Sequence, residues 1–125
     1  MKMSTTKIII GAVIIAAVGL AGYAVYGYQQ PGQLDIFAQC LKDNGAIFYG
    51  AFWCPHCQNQ KKMFGKSERL LAYVECSTPD GRGQNTACQT KNIEGYPIWE
   101  FANGSRLTGE IALETLAEKT GCVLP

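Results

Sequence analysis

The chain begins with one long apolar stretch that carries no charged side chain. This stretch covers the 21 residues 8–28, and as a helix it would measure roughly 31 Å at about 1.5 Å per residue, close to the thickness of a bilayer's hydrocarbon core. We therefore predict an uncleaved transmembrane anchor over residues 8–28, preceded by a cytoplasmic N-terminus over residues 1–7. A cleaved signal peptide is the alternative, because the start is basic and residues 21–27 include small side chains. The apolar region of such a peptide, however, normally spans only about 7 to 15 residues.

After a short linker over residues 29–33, short apolar runs alternate with polar turns and predict one α/β domain over residues 34–125. Residues 46–53 are almost continuously apolar, which is typical of a central strand covered on both faces, and Phe52 is expected in the core. In chain order we predict a helix from 34 that ends at 44–45, a strand over 46–53, a helix over 54–64, a strand over 70–76, a loop over 77–85, a helix over 86–92, strands over 97–102 and 105–109, and a helix over 111–119.

Turn residues support this division into elements. Pro55 near the start and Gly65 just past the end are typical of the limits of a helix. The dipeptide Asn103-Gly104 favours a two-residue turn in an antiparallel hairpin between the last two strands. The order α-β-α-β-α-β-β-α shows no internal repeat and fits one small core, which excludes large multidomain enzymes and repeat arrays.

Charge restricts both the partners and the compartment. With 11 basic against 10 acidic residues the net charge is +1, which argues against nucleic acid or another polyanion as a partner. Lys2 and Lys7 precede the apolar stretch, and no Lys or Arg follows it before Lys42. The positive-inside bias therefore predicts a single-pass cell-membrane protein, with its N-terminus in the cytoplasm and its domain outside, in the periplasm or on the outer surface. The lipid bilayer would be the partner of the N-terminal helix.

All the cysteines lie in the predicted extracytoplasmic part. An even number of cysteines in a small exported domain suggests disulfides, although six cysteines permit 15 pairings. The six are Cys40, Cys54, Cys57, Cys76, Cys88 and Cys122.

Cys54 and Cys57 form a Cys-x-x-Cys motif at the predicted start of a helix. Unsatisfied backbone N–H groups and the positive end of the helix dipole favour a thiolate at Cys54. Because the thiolate is the attacking group in disulfide exchange, we expect Cys54 to be the nucleophile and Cys57 to be the resolving thiol. His56 adds a switchable positive charge, and stabilising the thiolate makes the disulfide a stronger oxidant.

Other interpretations of these residues remain open. Cys54 and Cys57 would also fit a zinc half-site completed by Cys76 and Cys88, or a purely structural disulfide, although the second pair is more widely spaced than zinc sites usually require. Haem attachment would need a His after Cys57, where Gln58 stands. His56 alone would also fit a solvated polar side chain, and Trp53 either the core or a surface for substrate. We predict no metal and no cofactor.

This chain has, in order, a predicted strand, Trp-Cys-Pro-His-Cys, a predicted helix and a later Gly-Tyr-Pro that opens a hairpin. Together these motifs resemble the thioredoxin superfamily. The resemblance covers about residues 34–121. The sequence is more narrowly similar to the thioredoxin-like domain that is fused to, or encoded beside, bacterial homologues of vitamin K epoxide reductase. The residues that carry this similarity are 48–57, 73–76, 95–99 and 107–110.

The resemblance implies a fold, a role and partners. It implies a thioredoxin-like fold, here without the usual first strand because residues 29–33 are too short for one. A domain of this family exchanges disulfides with exported proteins and passes the electrons to the membrane reductase homologue, which transfers them to quinone. Since this chain has one predicted span, the quinone-reducing part would be another protein.

The resemblance also assigns roles to individual residues. Cys54 is the attacking thiol, Cys57 the resolving thiol, and Pro97 a cis proline that pairs with the substrate backbone; from sequence alone Pro97 would equally be a proline that begins a strand. Phe48 replaces the buried acid that thioredoxins carry six positions before the first cysteine, which weakens the interpretation as an ordinary cytosolic-type reductase. His56 is included in the catalytic set, and the neighbours Trp53, Pro55 and Tyr96 are expected to support it.

The remaining four cysteines are expected to form structural disulfides. Cys76 and Cys88 flank a loop rich in Gly and Pro, and a bridge between them would pin it; a second redox-active pair is the alternative. A bridge from Cys40 to Cys122 would clamp the two ends of the domain, although both would also fit free thiols or a bond to a partner chain.

The sequence thus predicts a membrane-anchored extracytoplasmic thiol-disulfide oxidoreductase. Its expected partners are cysteine-containing exported proteins, which it would oxidise, and a vitamin K epoxide reductase homologue. The alternatives are a disulfide reductase or isomerase, and a non-catalytic anchored binding protein stabilised by its disulfides.

Overall fold

The computed structural model describes residues 4–125, which form two compact units, one ending at Pro31 and one formed by Gly32–Pro125. Lys2, on which the predicted membrane orientation partly rests, lies outside the described residues. The first unit is helix α1, Thr5–Gln29, whose length and apolar composition allow it to cross a membrane. The helix begins three residues before and ends one residue after the predicted span.

The second unit has the predicted order of helices and strands, and it has a thioredoxin-like fold that lacks the additional first strand. A 3-10 helix that was not predicted follows the helix of the Cys-x-x-Cys motif. The elements are α2 Asp35–Asp43, β1 Ile47–Gly50, α3 Pro55–Phe64, the 3-10 helix Gly65–Leu70, β2 Ala72–Glu75, α4 Thr86–Thr90, β3 Ile98–Glu100, β4 Arg106–Thr108 and α5 Leu113–Thr120.

The four strands form one mixed sheet in the order β2-β1-β3-β4. β1 is parallel to β2, with Gly50 opposite Glu75, and antiparallel to β3, with Phe48 opposite Trp99. This unit has two separate apolar clusters, and successive β1 side chains pack into different ones. Phe48 belongs to the larger cluster and Tyr49 to the smaller. This two-sided burial explains why the β1 sequence is continuously apolar.

Aromatic rings fill the larger of the two clusters. The Phe48 ring is stacked on the Trp99 ring with centroids 4.9 Å apart, and both residues are fully buried. The Phe37 ring of α2 is stacked on the Phe64 ring of α3 at 6.0 Å. The Phe64 ring also lies 6.2 Å from the Trp99 ring of β3, so the far end of α3 packs against both α2 and the sheet.

Two disulfides connect distant parts of this unit. Cys40 in α2 is bonded to Cys122 after α5, and Cys76 after β2 is bonded to Cys88 in α4. The Asn44 side-chain amide donates to the Thr120 carbonyl oxygen at 2.9 Å beside the first bridge. The first disulfide joins the beginning and the end of the unit, and the second encloses the loop over residues 77–87.

Two expectations about local structure were wrong. The hairpin between β3 and β4 has a three-residue loop, because Phe101 and not Ala102 pairs with Ser105, and Gly104 adopts φ +80°. This register keeps the Phe101 side chain buried. A turn that ends in a residue with a left-handed conformation, here Gly104, is the usual form of a three-residue hairpin loop. Phe52 is 50% exposed rather than in the core, because β1 ends at Gly50 and Phe52 lies in the turn beyond it.

Candidate active site

The Cys-x-x-Cys motif lies where the chain leaves the central strand and begins helix α3. Cys54 is the N-cap of the helix, Pro55 is its first residue and Cys57 lies in its first turn. Proline suits this position because its missing N–H would have no helical partner there. The Cys54 backbone N–H donates to the Ala51 carbonyl at 3.0 Å, which closes the turn after β1 and places Cys54 at the helix start.

The two thiols of the motif are free and mostly buried, with 5% of Cys54 and 1% of Cys57 exposed. Burial raises the pKa of the Cys57 thiol to about 12, and the neighbouring Cys54 thiol raises it further, while the Ala51 backbone hydrogen bond and the Lys61 charge oppose the rise. Cys57 is therefore protonated at neutral pH. For the exchange chemistry expected here, it has to become a thiolate transiently.

The loop before β3 brings Pro97 beside these thiols. The Tyr96–Pro97 peptide bond is cis, and Pro97 is fully buried. The Cys54 Sγ lies 3.9 Å from the Tyr96 carbonyl oxygen, and the Pro97 carbonyl accepts a hydrogen bond from the Gly109 N–H at 2.9 Å. The backbone immediately before Pro97 therefore contacts the Cys54 sulfur.

Trp53 forms part of the rim of the site and is not a core residue. Half of its surface is exposed, while its indole Nε1 donates to the Ser77 hydroxyl at 2.9 Å. Its ring meets the Tyr96 ring edge to face, with centroids 6.0 Å apart. A Cβ at Gly81, in the disulfide-enclosed loop, would lie 3.6 Å from the Trp53 ring and 3.7 Å from that of Phe52. The exposed side chains of Trp53 and Phe52 thus form this rim, and the disulfide-enclosed loop lies beside them.

His56 is exposed at the first turn of α3 and has an acidic partner. Its Nδ1 lies 2.7 Å from the Glu110 Oε1, and the Asn59 side-chain amide donates to the same oxygen at 3.1 Å. These two contacts, that of His56 first, hold the pKa of Glu110 below its usual value. Glu110 belongs to the stretch 107–110 that carries the family resemblance, but no role was predicted for it. Its contact with His56 depends on how the loop after β4 packs against α3.

Gln60 fixes that loop to the helix. It is fully buried, its side-chain amide donates to the Ile111 carbonyl at 3.0 Å, and its carbonyl accepts from the Ile111 N–H at 2.6 Å. Because both backbone groups of Ile111 are bonded, the segment that carries Glu110 has a defined position beside α3. The sequence did contain a signal for this contact, because Gln60 is a polar residue on the same face of α3 as the apolar residues Cys57 and Phe64.

Behind the motif, Glu75 connects the turn before Cys54 to the end of β2. Its Oε1 accepts from the backbone N–H groups of Ser77 at 2.9 Å and Phe52 at 3.2 Å, and its Oε2 accepts from the Tyr73 hydroxyl at 2.7 Å. Burial, together with this bond and the nearby negative charge, raises the pKa of Tyr73. The Lys61 ammonium lies 3.5 Å from the centroid of the Tyr73 ring. These three side chains were not among the predicted site residues.

The other cysteines are bonded in pairs and lie outside this cluster. Since Cys76 and Cys88 are bonded to each other, a zinc site at Cys54 and Cys57 has no second pair of thiolates to recruit. Over residues 4–125 there is also no group of three or more His, Cys, Asp or Glu side chains that would hold a metal ion.

The chain is similar in sequence to a plant protein named as a thiol-disulfide oxidoreductase. Over 89 residues it is 49% identical to the thiol-disulfide oxidoreductase LTO1 of Arabidopsis thaliana, an alignment that covers 67% of this chain and 23% of the relative. The chain therefore spans less than a quarter of that protein. No protein-family model matches the chain.

Proposed function

We propose that this chain is a thiol-disulfide oxidoreductase whose reacting groups are Cys54 and Cys57. The observation that carries the proposal is the contrast among the cysteines: four are bonded in pairs, while Cys54 and Cys57 are free thiols at a helix N-terminus beside Pro97. A helix N-terminus favours a thiolate, and the thiolate is the reactive form in exchange. The identity to LTO1 supports the same activity.

We propose oxidation of client proteins as the direction. A client thiolate attacks the Cys54 sulfur of the Cys54–Cys57 disulfide, and Cys57 leaves as a thiolate that takes a proton. A second client thiolate then attacks the client sulfur of the mixed disulfide and releases Cys54. The client gains one disulfide, and two electrons remain on the reduced Cys54 and Cys57. His56 supports this direction because a positive charge near a thiolate favours the reduced form.

We further propose that α1 anchors the protein in the cell membrane, with its N-terminus in the cytoplasm and its Gly32–Pro125 unit outside. The positions of the lysines around the apolar stretch support this orientation. Cysteine-containing exported proteins would then be the clients. The resemblance of its motifs supports a membrane homologue of vitamin K epoxide reductase as the acceptor of the electrons.

Trapping of mixed disulfides tests the proposed activity. In the full chain expressed in membranes, Cys57→Ala removes the resolving thiol, so clients should accumulate as reducible adducts at Cys54. Cys54→Ala is the matched control and should trap none. Equal trapping by both variants, or none by either, would contradict the proposal and favour a non-catalytic binding protein.

The redox state of the pair in the cell tests the direction. Alkylation of free thiols in rapidly acidified cells should find Cys54 and Cys57 mostly oxidised, as required of a protein that oxidises others. A mostly reduced pair would favour the reductase or isomerase alternative.

A further inference from the structure

The burial of Cys57 poses a problem for the proposed reaction. Cys57 must carry a negative charge whenever the Cys54–Cys57 disulfide opens or closes, yet only 1% of the residue is exposed. The position on β1 where thioredoxins have a buried acid is occupied by Phe48, whose ring is stacked on Trp99. Besides the Ala51 backbone hydrogen bond, the charge on Cys57 therefore needs a source of stabilisation among the neighbouring side chains.

Lys61 lies on the same face of α3 as Cys57, one helical turn further on. Side chains four residues apart on a helix are neighbours, and Lys61 is half-buried, whereas the adjacent Lys62 is exposed. Instead of extending into solvent, the Lys61 ammonium lies 3.5 Å from the centroid of the Tyr73 ring. A cation held over an aromatic face in this way is attracted by the ring and partly shielded from water.

The Tyr73 ring also lies beside the Cys57 sulfur. A Cβ built on Gly50 would be 2.9 Å from the Tyr73 Cε2 and 3.0 Å from the Cys57 Sγ, so the ring and the sulfur border the same narrow space. Gly50 keeps this space open because it has no side chain. The ring therefore lies next to Cys57 and also carries the Lys61 ammonium on its face.

Glu75 fixes the orientation of this ring. The Tyr73 hydroxyl donates to the Glu75 Oε2, and the other carboxylate oxygen is held by two backbone N–H groups. The charged and titratable groups around Cys57 are thus Cys54, Lys61 and Tyr73, with Glu75 bonded to the far side of Tyr73. Among these groups, Lys61 supplies the positive charge.

We propose that Lys61, positioned by the Tyr73 ring, stabilises the Cys57 thiolate each time the Cys54–Cys57 disulfide forms or breaks. This inference rests on the proposed function. In the closing step, Cys57 loses its proton to solvent and its thiolate attacks the Cys54 sulfur of a mixed disulfide. The Cys54–Cys57 bond forms, the bond from Cys54 to the client sulfur breaks, and the client leaves as a thiolate that takes a proton. In the opening step Cys57 is the leaving group, and a more stable thiolate leaves faster.

Single-turnover reaction with oxidised glutathione tests this role in the full chain in detergent. The reduced protein is mixed with excess oxidised glutathione, quenched with acid at set times and analysed by mass spectrometry. Attack by Cys54 forms a glutathione adduct, and attack by Cys57 then releases glutathione and closes the disulfide. The lifetime of the adduct reports only the second step.

Lys61→Met should lengthen the adduct lifetime about three- to tenfold near neutral pH and move its pH profile upward by roughly half to one unit, because a partly buried unit charge is lost. The rate at which the adduct forms should not change. Lys61→Arg keeps the charge and should restore the wild-type profile, and Lys61→Gln replaces Lys61→Met if that variant fails to fold. Lys62→Met, which removes an exposed charge from the same helix, is the matched control and should behave as wild type.

A wild-type lifetime and pH profile in folded Lys61→Met would overturn the inference, as would an equal change in Lys62→Met. A wild-type protein that forms no adduct at Cys54 would instead overturn the proposed function on which the inference rests.

Discussion

The Cys76–Cys88 bridge provides a test of whether stability and activity are separable in this protein. The bridge joins residues 12 apart and encloses the loop that borders the Trp53 rim. In the chain-entropy model, closing a loop of this size stabilises the folded state by about 3 kcal/mol through its effect on the unfolded chain. The Cys40–Cys122 bridge joins residues 82 apart, and the same model gives about 4.5 kcal/mol.

The double variant Cys76→Ala, Cys88→Ala removes the first bridge without leaving a free thiol. Each cysteine is fully buried, so the loss of packing adds about 1 kcal/mol to the entropic cost. For a domain of this size, a loss of about 4 kcal/mol corresponds to a Tm lower by roughly 15–30 °C. The matching variant Cys40→Ala, Cys122→Ala should lower the Tm further.

Thermal unfolding followed by tryptophan fluorescence in detergent measures the stability of each variant. Disulfide exchange is then measured well below the lowered Tm, where the Cys76 variant should retain nearly all the wild-type rate. Loss of exchange in a variant that is still folded would refute the structural role and indicate a second redox-active pair. An unchanged Tm would refute the estimate of stabilisation itself.

Three further predictions concern the surroundings of the motif. Glu110→Gln removes the negative charge 2.7 Å from the His56 Nδ1, so the reduction potential of the Cys54–Cys57 pair should rise. His56→Ala should instead lower this potential and make the pair easier to oxidise. Equal potentials in wild type and both variants, measured in glutathione buffers, would contradict an electrostatic role. The fold lowers the pKa of Glu110 below its ordinary value of 4.5. The Glu110 carboxylate should therefore stabilise the folded state at pH values above 4.5, and this stabilisation should be lost as the pH falls through the lowered pKa. A Tm difference between wild type and Glu110→Gln that persists at low pH would contradict this. Gly50→Ala would place a methyl group 2.9 Å from the Tyr73 ring and 3.0 Å from the Cys57 sulfur, so it should slow closure of the disulfide. In the control Gly95→Ala nothing lies within 4 Å of the added atom, and the disulfide should close at the wild-type rate. Closure as fast in Gly50→Ala as in Gly95→Ala would refute the close packing.

The order of the elements was predictable because each is marked by local features of the sequence. Pro55 and Gly65 indicate the limits of α3, and Cys54 lies at its start as expected. The continuous apolar run identifies the central strand, since β1 is covered on both faces. The same run extends to Trp53, three residues past the strand, and the pattern alone does not show where pairing with β2 and β3 stops.

The partners of the motif were not predictable in the same way, because they are brought together by strand register and loop packing. Glu75 reaches the turn before Cys54 because it pairs with Gly50 across two parallel strands. Glu110 reaches His56 because Gln60 holds the loop after β4 against α3. The hairpin register likewise is not set by the Asn103-Gly104 dipeptide, which favours a two-residue turn. Phe101 pairs with Ser105 and stays buried in the longer, three-residue loop.

The reduction potential of the Cys54–Cys57 pair tests the central claim most directly. The full chain in detergent is equilibrated with glutathione buffers of known ratio, quenched with acid and alkylated, and the fraction of oxidised pair is read by mass spectrometry. We expect a potential well above about −200 mV, in the range of strong thiol oxidants near −120 mV. A value near about −270 mV, as for thioredoxin, would contradict the proposed oxidising direction.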